Sequence, residues 1–120
     1  MFTITKDFQF SASHQLTQLP HDHQCARLHG HNYTVQLELR CATDELTEPG
    51  FVRDYGELSD FKKWIDSELD HRHLNEVIHD RNPSAENMAQ WMFSIWSERV
   101  PELSAVRVSE TPKTWAEFRP

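Results

Sequence analysis

The stretch His29-Gly30-His31-Asn32-Tyr33-Thr34-Val35-Gln36-Leu37-Glu38-Leu39-Arg40-Cys41 decides the fold. His29, His31, Tyr33, Val35, Leu37, Leu39 and Cys41 share one parity, and Asn32, Thr34, Gln36, Glu38 and Arg40 share the other. A period of two marks an extended strand, whose side chains alternate between faces. An unbroken polar face opposite an apolar one implies an antiparallel sheet covered on one side only. Residues 2–14 repeat the pattern, with Phe2, Ile4, Phe8, Phe10, Ala12 and His14 on one face and only Lys6 out of character.

Further along, the period changes. Leu58, Phe61, Ile65 and Leu69 recur at helical spacing over 55–69. Asp54 is the expected N-cap of that helix, with Glu57 three residues on as in a capping box. A second helix is expected over 85–100, entered through Pro83 and capped by Ser84, with Met88, Met92, Ile95, Trp96 and Arg99 along one stripe. A third strand is expected near 104–111, with Val106, Val108 and Glu110 on one face, and a fourth near 114–119 after the turn Thr111-Pro112-Lys113. The order β-β-α-α-β-β predicts an α+β fold: a four-stranded antiparallel sheet with two helices on one face, forming one domain over residues 1–120.

Composition narrows the function. The net charge of -7 argues against a nucleic-acid backbone as partner. No segment has the length of a membrane span, and the N-terminal residues lack the apolar run and cleavage site of a signal peptide. Two cysteines, Cys25 and Cys41, make no disulfide framework, so a reduced, cytoplasmic setting is expected. Eight histidines in 120 residues invite a search for metal ligands.

His29 and His31 point to the same face of one strand, with Cα atoms about 6.7 Å apart, and Gly30 between them leaves room for close approach. His14 ends the first strand. Pairing His14 opposite His31 sets Ala12 against Tyr33, Phe10 against Val35 and Phe8 against Leu37, which keeps every pair on the core face. Three imidazoles then meet at one end of the sheet. Three His with an open fourth position is the pattern of a catalytic zinc. His21 and His23 repeat the H-x-H spacing in a loop with no strand to aim them, so they read as solvated.

Four further residues carry chemistry in either of two ways. Cys25 precedes the H-G-H and is either a small buried residue or an acid–base group activated by a nearby cation. Asp70 beside His71 is either a loop pair in solvent or a base held by its carboxylate. Glu110 continues the apolar face of Val106 and Val108, where a carboxylate needs a partner. That partner is either an internal cation or a ligand with a guanidine-like fork.

The motifs Phe10-x-Ala12-x-His14, Cys25-x-x-x-His29-Gly30-His31, Leu69-Asp70-His71-x-x-Leu74-Asn75, Pro83-Ser84-Ala85-Glu86-Asn87 and Val108-Ser109-Glu110-Thr111 occur in this order over nearly the whole chain. Together they resemble the 6-pyruvoyl-tetrahydropterin synthase / 6-carboxy-tetrahydropterin synthase family. The resemblance implies a tunnelling-type fold, Zn²⁺ on His14, His29 and His31, proton transfer by Cys25, Asp70 and His71, and a pterin anchored by Glu110. It also implies a homohexamer of two trimers with active sites between subunits.

Cys25 lies four residues before His29. That offset is similar to the bacterial queuosine-pathway branch, whereas animal-type pyruvoyl synthases space the cysteine further off. The implied reaction converts 7,8-dihydroneopterin triphosphate to 6-carboxy-5,6,7,8-tetrahydropterin with release of acetaldehyde and triphosphate. A pyruvoyl-type triphosphate elimination and a non-catalytic zinc- or pterin-binding module are the alternatives. Phe118 stands where relatives often have Tyr. Arg27, Arg72 and Lys113 are candidates for the triphosphate, and spacing does not choose among them.

An isolated sheet with open edges is a liability, and edge-to-edge pairing of several sheets into a barrel removes it. The polar face would then line a wet tunnel. Light scattering at micromolar concentration is expected to show an oligomer. A species near the 14.2 kDa of one chain, with activity intact, would refute a shared site.

Overall fold

The structure, a computed structural model, describes residues 1–120. Strand β1 (Phe2–His14) pairs along its full length with β2 (His29–Cys41), antiparallel, from Phe2 opposite Cys41 to His14 opposite His29. The helices α1 (Ser59–Glu68) and α2 (Ala85–Trp96) follow, then β4 (Leu103–Thr111) and β5 (Thr114–Phe118). A two-residue strand, β3 (Arg72–His73), lies between the helices in sequence and adds in parallel to the outer edge of β1. The sheet therefore has five strands in the order β3-β1-β2-β4-β5, where four were expected. Two residues are too few to show a period, which is why β3 left no pattern in the sequence.

The register also differs from expectation. His14 faces His29 rather than His31, and Phe10 faces Tyr33 rather than Val35. A shift of two residues leaves every side chain on the same face, so the hydrophobic pattern cannot distinguish the two registers. The observed one aligns two strands of equal length end to end and stacks the Phe10 and Tyr33 rings with centroids 4.9 Å apart. The connection between the strands is pinned by two side chains from the far side. Asn75 bonds both backbone groups of Gln15, and Asn82 does the same for Thr17.

Both helices pack on the apolar face. Phe61 of α1 meets Phe8 and the ring of Trp96 edge-on, with centroids at 4.9 and 5.1 Å, and Met88 and Met92 of α2 are fully buried. The second helix begins as expected, with the Ser84 hydroxyl accepting the Asn87 N–H. The first does not. Asp54 caps a separate 3-10 turn at Tyr55–Leu58 by accepting the Gly56 N–H, and Glu57 pairs with Arg53 at 2.8 Å instead of closing a capping box. The chain passes through this 3-10 turn first, so the α-helix starts only at Ser59.

The opposite face is not uniformly wet. Glu38, expected among its solvated residues, is only 3 % exposed. Arg107 and Arg119 each reach it at 2.8 and 2.6 Å, Arg40 lies at 3.2 Å, and the Ser104 hydroxyl donates at 2.6 Å from a bulge between β2 and β4. Long arginine stems cover the carboxylate that their heads neutralise. The hydrogen bond from Arg119, then those from Ser104 and Arg107, hold the Glu38 carboxyl far below its ordinary value despite its burial.

A carboxyl depressed on folding binds fewer protons native than unfolded, so its contribution is complete above the unfolded pKa and is lost as pH falls below it. Glu38→Gln is therefore expected to cost roughly 3 kcal/mol at pH 7. Its difference from the unmodified protein should shrink as pH drops below the ordinary value of 4.5. Urea denaturation across that range checks this. A gap that stays constant into acid would mean that the charge of Glu38 contributes nothing.

Candidate active site

His14, His29 and His31 meet at the end of the β1–β2 ladder, with one ligand atom from each lying within 4.8 Å of the others. His14 is fully buried, and the other two are half-buried. The His14 Nδ1 is 2.8 Å from the Pro83 carbonyl, and the His29 Nδ1 is 2.6 Å from the Arg27 carbonyl. A carbonyl only accepts, so both Nδ1 atoms carry the hydrogen, and each neutral ring presents an Nε2 lone pair. The two Nε2 atoms stand 2.8 Å apart, an arrangement that favours a cation between them. The His31 Nε2 is buried without a hydrogen-bond partner, and Glu110 Oε2 is 3.6 Å from it.

Burial lowers the pKa of both His14 and His31, which keeps them in the neutral form that binds metals. Backbone carbonyls that fix the outer nitrogen are the usual support of a metal-bound imidazole. The three residues thus fit a metal ion on donor chemistry alone. Tyr33 stands behind them, with its hydroxyl 3.2 Å from the His14 Nδ1. Burial first, and the Glu110 charge second, raise its pKa, so it stays protonated.

Glu110 lies one residue past the last β2–β4 pair, Thr34 with Ser109. With His31, Asp70 and Trp115 it borders a cavity of about 820 Å³. Asp70 is anchored to the edge of β1: its Oδ1 accepts the Ser11 N–H at 2.9 Å and its Oδ2 lies 2.9 Å from His71 Nδ1. The Ser11 N–H, then the His71 contact, lowers the pKa of its carboxyl. The His71 N–H donates back to the Ser11 carbonyl at 2.7 Å. His71 has φ of 59°, a left-handed conformation that non-glycine residues seldom adopt, and its side chain is 83 % exposed. His71 borders a second cavity, of about 460 Å³, that also touches His31.

Cys25 is not one of the three converging ligand residues. It sits half-buried in the 3-10 turn Gln24–Ala26, with its carbonyl accepting the Leu16 N–H at 3.0 Å and its N–H donated to His23 Nδ1 at 3.1 Å. It borders neither cavity of its own chain. His21 and His23 are exposed, as the sequence suggests, and Cys41 is buried at the far end of β2. The sequence reading missed Tyr33 and the two carbonyls behind the histidines. Tyr33 was hidden as one more core-face residue, and a carbonyl leaves no trace in residue type.

Residues 3–120 match the family described as 6-pyruvoyl tetrahydropterin synthase. A 6-carboxy-5,6,7,8-tetrahydropterin synthase from Synechocystis sp. is 35% identical, over 98% of this chain and 93% of that protein. One from Bacillus subtilis is 31% identical, over 99% and 86%. The solved 6-pyruvoyl tetrahydropterin synthase of Caenorhabditis elegans superposes with a TM-score of 0.83 at 26% identity, covering 99% of this chain and 95% of that one. The chain belongs to the 6-pyruvoyl tetrahydropterin synthase family, and it is an enzyme. Within that family it resembles the 6-carboxy-tetrahydropterin synthases. No helix is long and apolar enough to cross a membrane.

His31→Ala is expected to lose most bound metal, because it removes one of the three imidazoles that could hold it. Elemental analysis of the purified variant checks this. Full occupancy there would remove His31 from the site.

Proposed function

We propose that this enzyme is a zinc-dependent lyase that converts 7,8-dihydroneopterin triphosphate and water to 6-carboxy-5,6,7,8-tetrahydropterin, acetaldehyde and triphosphate, in queuosine biosynthesis. The observation that carries this reading is the shared cavity of Glu110, Asp70 and the metal-group residue His31. The three-nitrogen donor set suits zinc with an open position. Zinc bound there would supply Lewis acidity toward the side-chain hydroxyls of the substrate.

The chain's own residues supply the rest. Glu110 accepts the 2-amino and N3–H of the pterin as a two-pronged acceptor, which orients the ring. Asp70 stays ionised and holds the Nδ1–H of His71, which leaves Nε2 as the basic atom. The same carboxylate then favours the imidazolium that forms when His71 takes a proton. Cys25 serves as the second proton-transfer group. Its turn is tied to the histidine end of β1 through the Leu16 N–H bond to the Cys25 carbonyl, and a homohexamer with sites shared between subunits would complete the cavity around it. The pterin ring is reduced at the expense of its own side chain, so no external redox cofactor is needed.

Mass spectrometry of products from the zinc-loaded protein tests this reading. The expected products are 6-carboxytetrahydropterin and acetaldehyde, and a pyruvoyl product would reassign the enzyme to the elimination branch. Cys25→Ala in the same assay is expected to keep its zinc and lose about 10²–10⁴-fold in turnover. A variant within a few-fold of the unmodified protein would take Cys25 out of the mechanism.

A further inference from the structure

The ionisable side chains around the two cavities are sorted by sign. The larger cavity is bordered by two carboxylates, Asp70 and Glu110. The smaller one is bordered by His71, Arg72 and His73 and by no acid. An acid-free, basic recess runs against the balance of a chain with net charge -7. The two cavities are neighbours, with Ser11, Gly30, His31 and Asn32 bordering both. One of the metal-group histidines therefore stands between an acidic compartment and a basic one.

Strand β3 builds the basic side. Its parallel pairing sets Arg72 beside Ala12 and His73 beside Ser13, next to the histidine end of β1. Arg72 spends one donor on the Ser67 carbonyl, at 2.9 Å, and keeps its remaining N–H groups. His73 Nδ1 lies 3.0 Å from the Ser13 hydroxyl, which fixes the ring. A guanidinium with neighbouring hydroxyl and imidazole donors suits a polyphosphate.

We propose that the smaller cavity is the polyphosphate subsite, with Arg72 and His73 as its positioning residues. The assignment rests on the pterin-triphosphate reading above. An extended substrate would lie with its fork-shaped ring edge at Glu110, its hydroxylated middle at His31 and its anionic tail at Arg72. The order of chemistry along the substrate is the order of chemistry along the wall. Placing the tail in the other compartment would set it against two carboxylates, which like-charge repulsion disfavours. The other cations the sequence offered, Arg27 and Lys113, border neither cavity.

The test measures two probes by calorimetry on the zinc-loaded protein: inorganic tripolyphosphate, and dihydroneopterin without phosphates. Arg72→Glu is expected to weaken tripolyphosphate about tenfold or more, the worth of a lost charge-assisted contact, while dihydroneopterin stays within twofold. Arg72→Lys should recover part of the loss, and His73→Gln should show a smaller loss of the same selectivity. Tripolyphosphate affinity unchanged by Arg72→Glu would overturn the subsite, as would an equal loss for both probes. Zinc is assayed after each titration, and heat that tracks zinc release equally in all proteins is metal stripping and counts against the subsite. If dihydroneopterin fails to bind the unmodified protein while tripolyphosphate binds through Arg72, the pterin reading falls and the anion subsite stands.

Discussion

The rest of the molecule depends on the flush antiparallel ladder between Phe2–His14 and His29–Cys41. Side-chain parity along a strand is fixed, so this pairing sends all the large apolar residues of both strands to the helices. It also carries His14, His29 and His31 to the same end of the same face. The core that buries Phe8, Tyr33 and Leu37 and the site that gathers the imidazoles are one arrangement at two positions along the same strands. A one-residue slip would expose the core and scatter the histidines together, so stability and function share the register.

Around that ladder, three later segments each add a component to the site. The loop before α2 supplies the Pro83 carbonyl behind His14, and the end of β4 supplies Glu110. The segment after α1 folds back along β1 and brings Asp70, His71, Arg72 and His73 to its edge. None of these contacts lies close in sequence to the histidines they serve. The backbone of β1 acts as the template, because Ser11 offers both its N–H and its C=O to the Asp70–His71 turn.

Charge is compartmented on a chain that is acidic as a whole. On the open face, Glu38 is surrounded by arginines and withdrawn from water, so its charge is spent within the fold. Near the histidines, Asp70 and Glu110 border the larger cavity and Arg72 borders the smaller one, with His31 on both. Burial keeps His14 and His31 neutral between them. Net charge alone describes none of this, because fields inside a concave site depend on the few groups that line it.

Residue pattern alone determined a good deal. Alternation exposed the strands, helical spacing the helices, and the H-x-H parity with a His at the end of β1 the three-histidine group that could hold a metal, because each of these signals is local or needs only the face of a strand. Tertiary structure decided what such signals cannot carry. Registers two residues apart satisfy the same pattern, so only packing of the full ladder set His14 against His29. The two residues of β3 have no period and become a strand only by pairing with β1. The solvated reading of Glu38 failed because Arg107, from β4, and Arg119, just past the end of β5, arrive some seventy to eighty residues later, at separations of 69 and 81. The choice of Arg72 over Arg27 and Lys113 was also a matter of place: a cation's residue type says that it can bind an anion, and only the folded chain says which cavity it borders.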